Sequence, residues 1–237
     1  MNTSNTSLRS LTPVPQDTQN PTPAKDGSSS RHPWADELGK RYPIVNVLRE
    51  DRHRNGGIRT PGFQTIACHR LANWAESDEA PKALRAPVGR MARAGLLVAR
   101  GVYGIELPAS VVLGRRVKVA HQSGIIVHPD VVIGDDVLIR QNVTIGLRED
   151  IQGDASEHVP RIRSGASLGA GAVVVGPVVV GEGAVIGANT VVTRDVPDGG
   201  TVSPPRSIIR GPSGTDTRGE HDRKPPSDSS PADRAGK

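Results

Sequence analysis

From Ile162 to Val196 the large aliphatic residues recur at every sixth position: Ile162, Leu168, Val174, Val180, Ile186 and Val192. Four places after each stands a small or β-branched residue: Ala166, Ala172, Val178, Ala184, Thr190 and Val196. Gly169, Gly181 and Gly187 directly follow three of the large ones. A helix repeats at about 3.6 residues and a strand at about two, so neither alone produces sixes. A solenoid does. Each hexapeptide is then a short strand plus a corner, and stacked coils bury a shared aliphatic interior. A Val/Gly-rich sandwich would instead require turn signals roughly every 8–12 residues.

The same spacing starts earlier in the chain. Leu107, Leu113 and Val119 keep it, and Val127, Ile133, Ile139 and Ile145 resume it after a step of eight. Two extra residues therefore fall around His121–Gly124 (HQSG), which predicts a bulge that re-aims side chains. From Gly146 to Arg161 the register is lost for a whole loop, GLREDIQGDASEHVPR. Excursions from a rigid scaffold are where binding groups gather, and His158 lies in this one.

Ahead of the repeats the pattern changes to a helical period. A helical cap is expected from about Trp34 within residues 31–103. After Pro61, which suits a first turn, Phe63, Ile66, Ala67, Arg70, Leu71 and Trp74 would form one face. A further helix is expected from Pro87 to Tyr103, with Val88, Met91, Ala92, Gly95, Leu96 and Ala99 on one side. Residues 1–30 and 211–237 are rich in Ser, Thr, Pro and Asp with few large apolar side chains. Such segments bury too little surface to offset their ordering entropy, so both are expected to be disordered. The fold class predicted is mainly β: a parallel β-helix of hexapeptide repeats over residues 104–210, its loop at 146–161, behind an α-helical cap.

Composition changes this picture little. Aromatic residues make up only 2% of the 237, so the core must be aliphatic, which a narrow stacked interior accommodates. The net charge of +5 is uneven: residues 31–103 carry 13 Lys/Arg against 7 Asp/Glu, residues 104–197 carry 8 against 10. The basic charges are scattered and no nucleic-acid motif accompanies them, so a solvated face is expected rather than nucleic-acid binding. The single cysteine, Cys68, excludes an internal disulfide and fits a reducing compartment. The first ten residues lack an apolar signal core, and no apolar run reaches membrane-spanning length. A cytoplasmic protein without a membrane partner is expected.

Candidate chemistry gathers at the interruptions. Glu106 precedes His121 by fifteen residues. With about 18 residues per turn and coils stacked at roughly 4.8 Å, the two fall on neighbouring coils where a carboxylate can approach an imidazole. Histidine titrates near ~6.5 and serves as a general base, and an acidic partner fixes its tautomer. A histidine beside a glutamate is more often structural; the bulge and the nearby loop move the balance toward catalysis.

Two stretches carry a resemblance to a known family. YGIELPASVVLGRRVKVAHQSGIIVHPDVVIGDDVLIRQNVTIG and PRIRSGASLGAGAVVVGPVVVGEGAVIGANTVVTRDVP are similar to the serine O-acetyltransferase branch of the hexapeptide acyltransferases. The GF-Q-x-x-A-x-HR motif at Gly62 to Arg70 extends the likeness to about Asp51–Ile209. The resemblance implies a left-handed parallel β-helix, a homotrimer or dimer of trimers with active sites between subunits, and acetyl-CoA as donor to a small hydroxyl acceptor. It implies His121 as catalytic base, Glu106 as its carboxylate where serine enzymes more usually have Asp, and His158 as a second active-site histidine. It also implies Gly146, Ala170 and Ala188 along the pantetheine arm and Arg206 at the CoA phosphates.

Departures from the family pattern bear on the acceptor. Val159 is inserted ahead of the proline, displacing His158 by one residue, and Glu157 and Ala120 replace the usual arginine and acidic residue. Asp51 and Arg161 remain as candidate acceptor contacts. The chain ends in Lys237 rather than isoleucine, so a cysteine synthase complex is not expected. L-Serine is the acceptor expected first; a sugar hydroxyl or natural-product intermediate is the alternative. A zinc site built from His121, His128 and His158 and an inactive scaffold are further readings, and no metal is expected.

Overall fold

The structure, a computed structural model, describes residues 42–148 and 155–205. The expected helix start near Trp34, both terminal tails and Arg206 lie outside these residues. Among the described residues three helices come first: α1 (Ile44–Arg54), α2 (Pro61–Glu76) and α3 (Lys82–Val98). Pro61 occupies the first turn of α2, and the Thr60 hydroxyl caps it by accepting from the Phe63 N–H. α3 begins five residues before the expected Pro87, which lies inside it. It runs on into a single π turn, Ala99–Tyr103, closed by Gly104 at φ 65°.

The coils follow. The first contains β1 (Ile105–Glu106), β2 (Val112–Leu113) and β3 (Lys118–Val119). The second contains β4 (Ile125–Val127), β5 (Val132–Ile133) and β6 (Leu138–Ile139). β7 (Thr144–Gly146) opens the third, which resumes after the loop with β8 (Arg161–Ile162) and β9 (Ser167–Leu168). The fourth holds β10 (Val173–Val175), β11 (Val179–Val180) and β12 (Val185–Ile186), and β13 (Val191–Val192) and β14 (Thr201–Val202) end the column. Every pairing is parallel and joins strands of successive coils. Three sheets result: β1-β4-β7-β10-β13, β2-β5-β8-β11 and β3-β6-β9-β12-β14. The chain thus winds a three-sided prism.

All thirteen large aliphatics of the sixfold register are buried, and so are the small or β-branched residues Ala166, Ala172, Val178, Ala184, Thr190 and Val196 four places after those of the second block. Each fully buried Val, Ile or Leu contributes about 1.5–3 kcal/mol, and the prism stacks them in continuous columns. The corners repeat as well. Gly104, Gly124, Asn142, Gly171 and Asn189 all have positive φ and lie above one another at the corner entering the first sheet. A Cβ at Gly124 or Gly171 would fall on the Asn142 or Asn189 side-chain oxygen, so glycine and asparagine alternate there for space as well as for left-handed backbone.

The cap departs from its expected face. On α2 the buried positions are Gly62, Thr65, Ile66, His69, Ala72 and Ala75, while Phe63, Leu71 and Trp74 are only half-buried. On α3, Gly89 and Ala92 are buried but Met91 is exposed. Gly95 faces the Cys68 Sγ across the α2–α3 contact, and burial pushes that thiol pKa up. The reason for the shifted α2 face is chemical. The first coil has no preceding coil to pair with, and polar helix side chains take that role.

The Asn55 amide donates to Val117 O (2.9 Å) and accepts from the Val119 N–H (3.0 Å), as a neighbouring strand would. The His69 Nε2 meets Val111 O at 3.0 Å, and Asn73 donates to Ala109 O at 2.9 Å. Arg70 donates to Leu113 O (2.6 Å) and to Gly114 O. Asp51 Oδ1 accepts from the Arg116 N–H at 3.1 Å.

Two predictions follow from this packing. Thr190 sits in an aliphatic column otherwise filled by Ala and Val, and its buried hydroxyl has no partner among the described residues. Thr190→Val removes that orphan at equal volume and should raise stability by about 1 kcal/mol in urea denaturation; a loss would refute the assignment. His69 is held neutral by burial and by Arg70, its pKa pushed down from 6.5 to about 3. The unfolded chain therefore binds a proton that the folded chain refuses. Stability should fall as pH drops below ~6.5 toward ~3, by up to about 1.4 kcal/mol per pH unit. His69→Gln should flatten that slope; an unchanged slope would exclude His69 as its source.

Candidate active site

The first sheet carries the candidate residues at its two edges. Each strand of this sheet enters at the glycine–asparagine corner and leaves at the opposite one. At the entry corner the regular winding is broken: Ile105 pairs with Ile125, twenty residues on, whereas Ile126 pairs with Thr144, eighteen on. The two extra residues are those of the HQSG bulge. His121 has φ 59° although Gly124 already supplies this corner's left-handed residue. Arg116, Asp136, Asn142 and Asn189 also adopt left-handed backbone, at regular corners, so what sets His121 apart is that it adds a second left-handed residue beside Gly124. His121 is exposed in the single chain.

Below the bulge, Ser123 O, Gln141 O and Ala170 O accept in turn from the Asn142, Gly171 and Asn189 N–H groups. Ser123, Gln141, Ala170 and Ala188 therefore stack along the same edge as His121. Gln141 lies one coil beneath the bulge, and beyond it Ala170 is half-buried and Ala188 exposed, so small side chains line the next two coils of that edge. That leaves room for a narrow extended ligand. The Gln141 Oε1 is buried without a partner among the described residues.

Glu106 lies on β1 of the same sheet, alternating outward beside the buried Ile105 and Leu107. Its register partner is Ile126. Its carboxylate forms an ion pair with Arg100, Nε to Oε2 3.4 Å, and both side chains are substantially exposed. Arg100 was absent from the sequence-based candidates. It reaches Glu106 because the π turn redirects the end of α3, and a π turn leaves no clear trace in the residue pattern.

Gly146 ends β7 at the exit edge, paired with Val175. The loop departs there, and Ala155–Glu157 form a short 3₁₀ turn whose Ala155 O accepts from the His158 N–H at 3.0 Å. Val159 is buried in the prism core, so the inserted residue anchors the loop where it rejoins the coil. Arg161, on β8, belongs to the second sheet. Within one chain, then, His121 and the alanine edge lie together, whereas Gly146 and His158 lie across a strand of about three residues, ~10 Å. Among the described residues no three His, Cys, Asp or Glu side chains converge as a metal site.

Asp51 behaves differently from a ligand contact. It has no exposed surface; Oδ2 accepts from Arg70 Nε at 2.9 Å and Oδ1 from the Arg116 N–H. Burial pushes its carboxyl pKa up against the opposing pull of Arg70. A carboxylate so enclosed ties helix to prism. Arg163, two residues beyond Arg161, is paired with Asp198 at 3.2 Å.

A prism of hexapeptide coils broken at one corner places the chain among the hexapeptide-repeat proteins. The sequence pattern described as "Bacterial transferase hexapeptide (six repeats)" matches residues 160–194. Serine acetyltransferase of Helicobacter pylori (strain 26695) is 33% identical over 168 residues, covering 69% of this chain and 92% of that protein. The chain belongs to the serine acetyltransferase family. Relatives from Synechococcus elongatus and Mycobacterium tuberculosis are 34% and 33% identical, covering 63% and 60% of this chain. The chain spans only 58% and 57% of those two longer proteins. Among solved structures, serine acetyltransferase from Brucella abortus superposes with a TM-score of 0.55 at 26% identity, covering 70% of this chain and 68% of that one. Soybean serine acetyltransferase complexed with serine gives 0.54 at 28% identity, with the same coverages. Together with the parallel three-sheet winding, these make the prism a left-handed β-helix.

The enclosed Asp51 yields a test. Asp51→Ala takes the carboxylate from the largely buried Arg70, leaving it only the Leu113 and Gly114 carbonyls, and should cost about 3 kcal/mol or more in urea denaturation. Asp51→Asn, which keeps an oxygen in place, should cost less. An acceptor KM that rises in Asp51→Asn without any loss of stability would overturn the structural role.

Proposed function

We propose that this chain is an acetyl-CoA-dependent O-acetyltransferase whose acceptor is L-serine. The observation that carries the reading is the placement of His121. It is exposed and held in left-handed backbone at the bulge of the first sheet's entry corner, on the same edge as Gln141, Ala170 and Ala188. The family relationship supports the same chemistry.

In this reading the pantetheine arm of acetyl-CoA lies along the Ala170–Ala188 edge toward Gly146. His121 takes the proton of the serine hydroxyl as its oxygen attacks the thioester carbonyl. The tetrahedral oxyanion collapses by breaking the C–S bond, and CoA leaves as thiolate, which the imidazolium reprotonates. Glu106 steadies the imidazolium once Arg100 releases it. The entry edge of one protomer meets the exit edge of the next, bringing the His158 loop to His121 in a homotrimer. That arrangement supplies what a single chain separates. A sugar-hydroxyl acceptor is the second reading, favoured by Val159, whose burial sets the register of His158. No described helix is long and apolar enough to cross a membrane.

Thiol release from acetyl-CoA, followed with L-serine, L-homoserine and sugar acceptors in parallel, tests the proposal. Serine should be the preferred acceptor, and His121→Ala should lower kcat about 10²–10⁴-fold without unfolding the protein. Turnover with sugars and none with serine would overturn the acceptor. Undiminished turnover in His121→Ala would overturn the base.

A further inference from the structure

We propose that the Gln141 side chain recognises the amide of the pantetheine arm nearest the thioester, and so selects an amide-bearing thioester as acyl donor. This deepens the acetyl-CoA reading and rests on it. Two buried side-chain atoms lack a hydrogen-bond partner among the described residues, Thr190 Oγ1 and Gln141 Oε1. The first belongs to a core column. The second belongs to the edge that carries His121. On that edge Ser123, Gln141 and Ala170 are stacked by the bonds their carbonyls accept from Asn142, Gly171 and Asn189, and Ala188 continues the stack. Of these four positions only Gln141 carries a long polar side chain.

Its height along the prism matches the chemistry of the arm. Coils stack at ~4.8 Å, so Gln141 stands one such step beneath the bulge and Ala170 one step further. In an extended pantetheine thioester, sulfur and two methylenes separate the reacting carbonyl carbon from the first amide nitrogen, about 5 Å in all. The second amide nitrogen follows after about another 5 Å. With the thioester carbonyl at His121, the first amide therefore arrives at Gln141 and the second at Ala170.

The functional groups are complementary as well. A secondary amide brings one N–H donor, and the glutamine oxygen is an acceptor. The residue is half-buried, and the terminal torsion of its carboxamide is soft, so Oε1 turns to the edge without any movement of the coil. A thioester without that N–H leaves the oxygen as unmet as it is in the free chain, and a site built around a hydrogen bond discriminates against a ligand that cannot make it. An acceptor that no donor meets also contributes nothing to holding the fold, which separates this role from a structural one.

The test uses two short donors. S-Acetyl-N-acetylcysteamine presents the first amide alone, and S-(4-oxopentyl) thioacetate replaces its N–H by a methylene. The full chain is assayed as wild type, Gln141→Met and Gln141→Leu with saturating L-serine, and thermal unfolding is recorded for each. Wild type should prefer the amide donor by at least about fivefold in kcat/KM, and both variants should bring that ratio to about one. Tm and the KM for serine should not change for the worse. Calorimetric titration with CoA reads the same contact without turnover, and Kd should rise at least about fivefold in the variants. A donor ratio or a CoA affinity unchanged in Gln141→Met would overturn the proposal. So would a drop in Tm with equal losses for both donors, since Gln141 would then only support the coil. Wild type that releases no thiol from acetyl-CoA with any acceptor would sink the acetyl-transfer reading itself, whereas an active wild type with an unchanged ratio in the variants would sink this inference alone.

Discussion

A solenoid must end, and how its first coil ends governs the rest of this molecule. Backbone N–H and C=O groups on that edge would otherwise face water as an open template for another strand. Here they are met by side chains: Asn55 pairs with Val117 and Val119 as a peptide would, and His69, Arg70 and Asn73 take the carbonyls of Val111, Leu113, Gly114 and Ala109. Each such bond contributes only about 0.5–1.5 kcal/mol net, but leaving a buried group unmet costs about 1–3 kcal/mol. The helices are therefore fastened in one register, and the π turn leading to Glu106 is fastened with them.

That constraint explains which parts of the structure were legible in the residues. The prism was, because burial alone dictates it. Every sixth position is interior, and a single slip would expose a whole column. The HQSG bulge was legible for the same reason, as a break in an otherwise strict count. The cap was not. Its existence followed from helical periodicity, but its buried face was misplaced, since α2 packs Thr65 and His69 inward and leaves Phe63, Leu71 and Trp74 half-buried. Hydrophobic spacing cannot find a face selected by hydrogen bonding to a strand edge. The His-Arg pair of the GF-Q-x-x-A-x-HR motif is that selection in residue form.

Asp51 shows the same limit. An acidic residue near a suspected site invites a ligand role, yet its oxygens hold Arg70 and the Arg116 N–H in the interior. Its neighbours in sequence, Glu50 and Arg54, serve the same junction through Arg115 and Arg116 O. Charged residues concentrate in α1 because the first coil needs fastening. Arg100 escaped notice for the converse reason: it lies on a helix end that reads as continuous, and only the widened π turn brings it to Glu106.

The division of labour within the prism follows from its regularity. Identical coils present nearly identical surfaces, so a perfect repeat cannot distinguish one height along the column from another. Distinction requires a break, and the chain makes two on opposite edges of one sheet: two residues added before β4, and the loop between β7 and β8. The first turns a histidine outward in left-handed backbone. The second is secured at its return by Val159, whose side chain joins the core and fixes where His158 can stand. A segment anchored by burial tolerates change in its exposed part without loss of the fold. The bulge is thus part of the rigid column, while the exposed part of the loop can vary without disturbing it.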